Sequence, residues 1–143
     1  MLPTGHLATS YILYRFAKVD WRIAAAASLF PDLLDKPLKL VFHVFPGGRS
    51  LGHGLPAVIA ISLGMWLWQG RHAGYSWFLG HLFHLFADYP FSGYVPWFFP
   101  LTDYAFPEGG PALLITMPEV LLDAGAVCLA VGLYWHKRYT TGS

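Results

Sequence analysis

Apolar positions run along the chain in five blocks, each closed by a proline, a glycine or a charged break. Thr4 offers an N-cap for a first helix that reaches about Ala17. The stretch from Ile23 to Leu34 carries an alanine run and predicts a second helix that stops at Pro31-Asp32. Lys36 to Phe45 is mixed in polarity, and Pro46-Gly47-Gly48 reads as a turn. Leu55 to Trp68 is apolar and uncharged, and Gln69-Gly70-Arg71-His72 breaks it. Tyr75 to Phe91 predicts a fourth helix, and Ser92 to Pro111, rich in Pro, Gly and aromatics, a structured loop or re-entrant stretch. Pro111 to Trp135 is long and apolar, contains Glu119 and Asp123, and leads into the basic tail His136-Lys137-Arg138.

A bilayer crossing takes about 20 apolar residues, and only the last block clearly reaches that length. The pattern therefore predicts an all-α fold: a compact membrane bundle of four or five helices, some short or incompletely spanning, built as one domain over residues 1–143. Composition points the same way. The chain is 55% hydrophobic and only 12% charged, against roughly 25% charged in soluble domains. This predicts a multi-pass membrane protein in contact with membrane lipid. A net charge of +1 with no basic stripe argues against a nucleic-acid partner. Cys128 is the single cysteine, which excludes an intrachain disulfide and any CxxC metal motif. The N-terminus lacks a basic leader before its apolar part and is expected to persist as the first helix.

Alternating the five helices across the membrane sorts the charges. Arg15, Lys18, Arg22, Arg71, Lys137 and Arg138 fall on one face, and Lys36, Lys39 and Arg49 on the other. The positive-inside rule makes the richer face cytoplasmic. His6, Asp32, Asp35, His53, His84, Asp88, Asp103, Glu108 and Glu119 then gather toward the extracytoplasmic side.

Ionisable groups at membrane depth are expensive and mark functional sites. At about 100° per residue, His81, His84 and Asp88 share one helix face within a ~60° arc. His at i with Asp at i+4 lets two side chains of one helix grip one metal ion. His6 stands near a helix start, Asp32 and Asp35 flank two leucines in FPDLLDKP, and Arg49 and His53 lie in GGRSLGHG, a glycine-rich approach to a helix. Imidazole plus carboxylate suits a divalent ion, zinc first, with manganese or iron as alternatives, and leaves positions open for water. Each group has a plainer reading as well. His84 with Asp88 fits an intramembrane hydrogen-bonded pair, Asp32 a helix cap, Asp35 beside Lys36 a solvated ion pair, Arg49 a snorkelling cation, and Glu119 a helix–helix hydrogen bond with Asp123.

The order His6, FPDLLDKP, GRSLGHG, GHLFHLFAD, WFFPL resembles the small membrane-bound metal-dependent hydrolases typified by a LexA-regulated bacterial inner-membrane protein. The resemblance runs from the first residues through Leu101. Two departures stand out: the second acid of the Pro-Asp motif falls one residue later and is followed by lysine, and glycine precedes Arg49 where the family often has His-Arg. The His-x3-Asp helix is also distantly similar to that of zinc-dependent phospholipases C. The resemblance implies a hydrolase of a bacterial or archaeal plasma membrane acting through metal-activated water on a small-molecule or lipid-linked substrate, with a phosphoester the expected class. On this reading His6, Asp32, His53, His84 and Asp88 hold the metal, His81, Asp35 or Glu119 supplies the general base, and Arg49 steadies a phosphate or carboxylate. A metal or proton carrier, and a non-catalytic membrane scaffold, are the competing readings.

Overall fold

The computed structural model describes residues 2–45, 48–92, 94–105 and 117–141. The turn expected at Pro46-Gly47-Gly48, the second half of the Ser92–Pro111 loop and Glu108 lie wholly or partly outside them. Five helices and a short 3₁₀ turn make up the regular structure of the described residues: α1 (Pro3–Ala17), α2 (Trp21–Leu40), the 3₁₀ turn (Leu51–His53), α3 (Leu55–Gln69), α4 (Arg71–Ser92) and α5 (Met117–Thr141). The all-α expectation holds, with several boundaries moved.

α1 starts at Pro3, so Thr4 lies inside it and does not cap it. The cap comes from α5: Asp123 accepts from the Gly5 amide at 2.7 Å and from the Thr4 hydroxyl at 2.5 Å. An exposed helix start would leave those donors to water; here a carboxylate 118 residues away takes them. Asp20 caps α2 locally through the Arg22 and Ile23 amides. α2 does not stop at Pro31-Asp32 but continues through Pro31 and Pro37 to Leu40. A proline inside a helix removes one hydrogen bond, and tertiary packing outweighs that local loss. Pro31 is fully buried, and Gly52 lies so close that a Cβ there would stand 2.9 Å from the Pro31 Cα.

α2 and α3 pack on α4, and α1 packs on α2 and α5. Gly80 permits the α2–α4 approach, because a Cβ at that position would meet the Ala24 carbonyl oxygen at 2.4 Å. Leu55 donates its amide to the Trp97 carbonyl at 2.7 Å, which ties the loop after α4 to the start of α3. Within the described part of that loop, residues 94–105, Val95 and Pro96 are buried.

The distribution of side chains is inverted relative to a water-soluble protein. The buried apolar groups are small and few (Leu13, Val19 and Ala24 in one cluster, Val58, Leu85 and Val95 in another). The histidine and aspartate side chains of His6, Asp35, His53, His81, His84 and Asp88, all singled out from the sequence, are buried, while Leu67, Trp68, Phe16, Leu33 and Leu121 are exposed. An outer surface this apolar suits hydrocarbon rather than water. One helix, Met117–Thr140, is long and apolar enough to cross a membrane, and Leu55–Gln69 is a shorter apolar helix.

Candidate metal centre

The site forms where the end of α2, the 3₁₀ turn, the later half of α4 and the start of α1 meet. Asp32, His53, His84 and Asp88 each offer one ligand atom, and these four atoms lie within 4.8 Å of one another. His53 Nε2 and His84 Nε2 are 3.1 Å apart. Asp88 Oδ2 is 3.8 Å from His84 Nε2 and 3.9 Å from His53 Nε2, and Asp32 Oδ1 is 3.9 Å from His53 Nε2. His6 closes the group from α1: its ring stacks on His84 at 4.2 Å, and its Nε2 lies 3.5 Å from Asp88 Oδ1. That Nε2 is buried and makes no hydrogen bond.

Asp35 organises the centre from behind. It is completely buried and accepts from the Ser50 amide at 2.6 Å, the Ser50 hydroxyl at 3.0 Å and the Gly52 amide at 3.0 Å. His53 Nδ1 donates to its Oδ2 at 2.7 Å. A carboxylate can only accept, so the proton of neutral His53 sits on Nδ1 and the lone pair of Nε2 faces the cluster. A carboxylate behind the imidazole is the usual arrangement for orienting a metal-ligating histidine. The solvated Asp35–Lys36 pair considered from sequence does not form; Lys36 bonds Asp32 at 2.6 Å instead.

The remaining sequence candidates occupy distinct places. Arg49 directs Nη2 and Nε to Asp88 Oδ2 at 2.8 and 3.3 Å. Its side chain is part-exposed, so it links the buried carboxylate to the outside. His81 shares the helix face of His84 and Asp88 but donates Nε2–H to the Gly52 carbonyl at 2.8 Å, and so supports the turn that carries His53. Glu119, half-buried on α5, is not among the four clustered donors. Ser50 and Gly52 were not singled out from sequence. The only hint was the glycine spacing of GGRSLGHG, which marks close backbone approach without saying to what.

The donor set suits a divalent cation. Asp32, Asp35 and Asp88 face Lys36 and Arg49, which leaves one net negative charge with the imidazoles neutral. Two imidazole nitrogens directed at one another beside two carboxylates are offset by a cation between them.

The family model for the YdjM inner membrane protein matches residues 1–140. Neither a curated protein nor a solved structure matches the chain.

Proposed function

The chain belongs to the YdjM inner membrane protein family, and on that premise we propose that it is a membrane-bound, metal-dependent hydrolase of phosphoester or lipid-linked substrates. The observation that carries this reading is the convergence of Asp32, His53, His84 and Asp88 within 4.8 Å, with His53 held in the ligating tautomer by Asp35. His6 is the fifth candidate donor, and zinc is the first choice of ion, ahead of manganese and iron. A bound divalent ion supplies Lewis acidity and a water acidic enough to attack at neutral pH.

The protein's own groups do the rest. Asp35 and His81 are positioning residues that fix the Ser50–His53 turn. Arg49, part-exposed and already turned toward Asp88, meets the anionic group of the substrate. Asp32 keeps more solvent access than Asp88, with its Oδ2 bonded to Lys36 and its Oδ1 left as the donor it would offer to the ion. Several helices cross or enter the membrane in this reading, which puts the centre at the bilayer boundary where a lipid headgroup can reach it.

The test is metal analysis and turnover on the full chain in detergent. Purified protein is expected to hold at least one divalent ion per chain and to hydrolyse bis(p-nitrophenyl) phosphate or a phospholipid. His84→Ala and Asp88→Asn are expected to lose both metal and turnover. A metal-loaded protein that moves ions into proteoliposomes and hydrolyses no mono- or diester would be a carrier. A protein that retains no metal would overturn the centre itself.

A further inference from the structure

A second polar site lies at the other end of the bundle, where α1 ends and α2 and α4 begin. Tyr14, Arg15, Lys18, Trp21, Arg22 and His72 line an open cavity of about 500 Å³. Along α1 it stands nine residues from His6, about 14 Å of helix rise, so it is separate from the metal centre. We propose that this cavity binds the phosphate-bearing headgroup of an anionic phospholipid.

Three features support that ligand. Charge is the first: Arg15, Lys18 and Arg22 converge, and none pairs with a carboxylate among the described residues. The Arg15 Nε is shielded from solvent and makes no hydrogen bond. Asp20, the one acid in the lining, already accepts from the Arg22 and Ile23 amides as the cap of α2. Guanidinium groups with an open fork suit phosphate oxygens better than any neutral headgroup.

Position is the second feature. Lys137 on the last turns of α5 donates to the Tyr14 hydroxyl at 3.3 Å, so α5, the helix long enough to span, ends beside the cavity. A headgroup in the cavity therefore sits at the level where a spanning helix leaves the hydrocarbon. The apolar neighbours are the third feature. Phe16 and Trp21 are exposed next to the cations, which gives acyl chains a surface and places an indole at the interface. A free phosphate would use the cations and have no need of that apolar flank.

The experiment uses the full chain in a neutral detergent, with phosphatidylglycerol, phosphatidylcholine and inorganic phosphate as probes, read by thermal unfolding and by lipid retained in native mass spectrometry. Phosphatidylglycerol is expected to raise the unfolding temperature and stay bound, and phosphatidylcholine to do neither. The double variant Arg15→Gln/Arg22→Gln is expected to weaken retention at least tenfold. Lys18→Asn, chosen because Asn tolerates the left-handed backbone at Lys18 (φ 55°), is expected to weaken it severalfold while folding normally. Lys39→Gln, at the other end of α2, is expected to change nothing. Equal retention of both lipids, unchanged binding in Lys18→Asn, or full displacement of phosphatidylglycerol by millimolar phosphate would each overturn the proposal. None of these outcomes depends on the metal centre, so hydrolase activity and lipid retention are tested apart.

Discussion

His53 and Asp35 form a buried pair: Nδ1 meets Oδ2 at 2.7 Å, and both side chains are completely buried. The carboxylate is held by the Ser50 and Gly52 amides at the same time, so backbone geometry, tautomer and ring orientation are set together. Asp35→Asn keeps an acceptor for the amides but removes the charge behind the imidazole. Loss of such a partner lowers metal affinity about 10–100-fold. Zinc competition with a chelator is expected to show a weakening in that range, with helical content unchanged; wild-type affinity would remove Asp35 from the positioning role.

His84 and His81 share a helix face and differ in what they touch. His84→Ala is expected to abolish bound metal, because its Nε2 belongs to the cluster. His81→Leu is expected to retain metal and lose stability, since it removes the donor to the Gly52 carbonyl and leaves that buried acceptor short of a partner, a penalty of about 1–3 kcal/mol. Elemental analysis beside thermal unfolding separates the two, and the reverse pattern would exchange their roles.

Arg49 holds Asp88 but is not itself a donor to a cation. Arg49→Gln is expected to keep bound metal and to raise KM for an anionic substrate more than it lowers kcat. A fall in kcat alone, with KM intact, would place Arg49 in support of Asp88 rather than at the substrate.

Asp123 is the borrowed cap of α1. Asp123→Ala removes the acceptor for the Gly5 amide and the Thr4 hydroxyl, and cap removals cost about 0.5–2 kcal/mol. Unfolding of the full chain in detergent is expected to show a loss in that range, with Thr4→Val losing less. No change would mean that water or another group takes over the amide.

Gly80→Val drives a side chain into the Ala24 backbone. Backbone cannot move aside as a flexible side chain can, so the α2–α4 contact is expected to open and the candidate metal ligands on those helices to separate. Low yield of folded protein, with metal lost from what remains, is the expected readout. A folded, metal-replete Gly80→Val would show that the helices reseat without cost.

Much of the candidate centre is legible because the side chains that cluster there sit at helix ends and at helical spacing. The i, i+4 relation of His84 and Asp88 holds on any helix, and simple alternation brings the His6, Asp32, His53 and Asp88 ends together. Other features depend on contacts that local pattern does not encode. α2 passes through Pro31 because its buried face packs against Gly52, and a proline alone reads as a stop. Asp35 beside Lys36 looks like a surface pair until the Ser50–Gly52 turn folds over it. Thr4 has the right chemistry for a cap, yet its acceptor lies on the last helix.

The clasp between Asp123 and the first turn of α1 also bears on the order of assembly. The opening helix leaves the ribosome with its leading amides unclaimed, and the carboxylate that claims them arrives only with the final helix. His6 lies one residue beyond that clasp, so the earliest donor to be synthesised is among the last to be locked in place. A chain cut short before α5 would bring together the donors of α2, the turn and α4 but leave the edge formed by α1 loose.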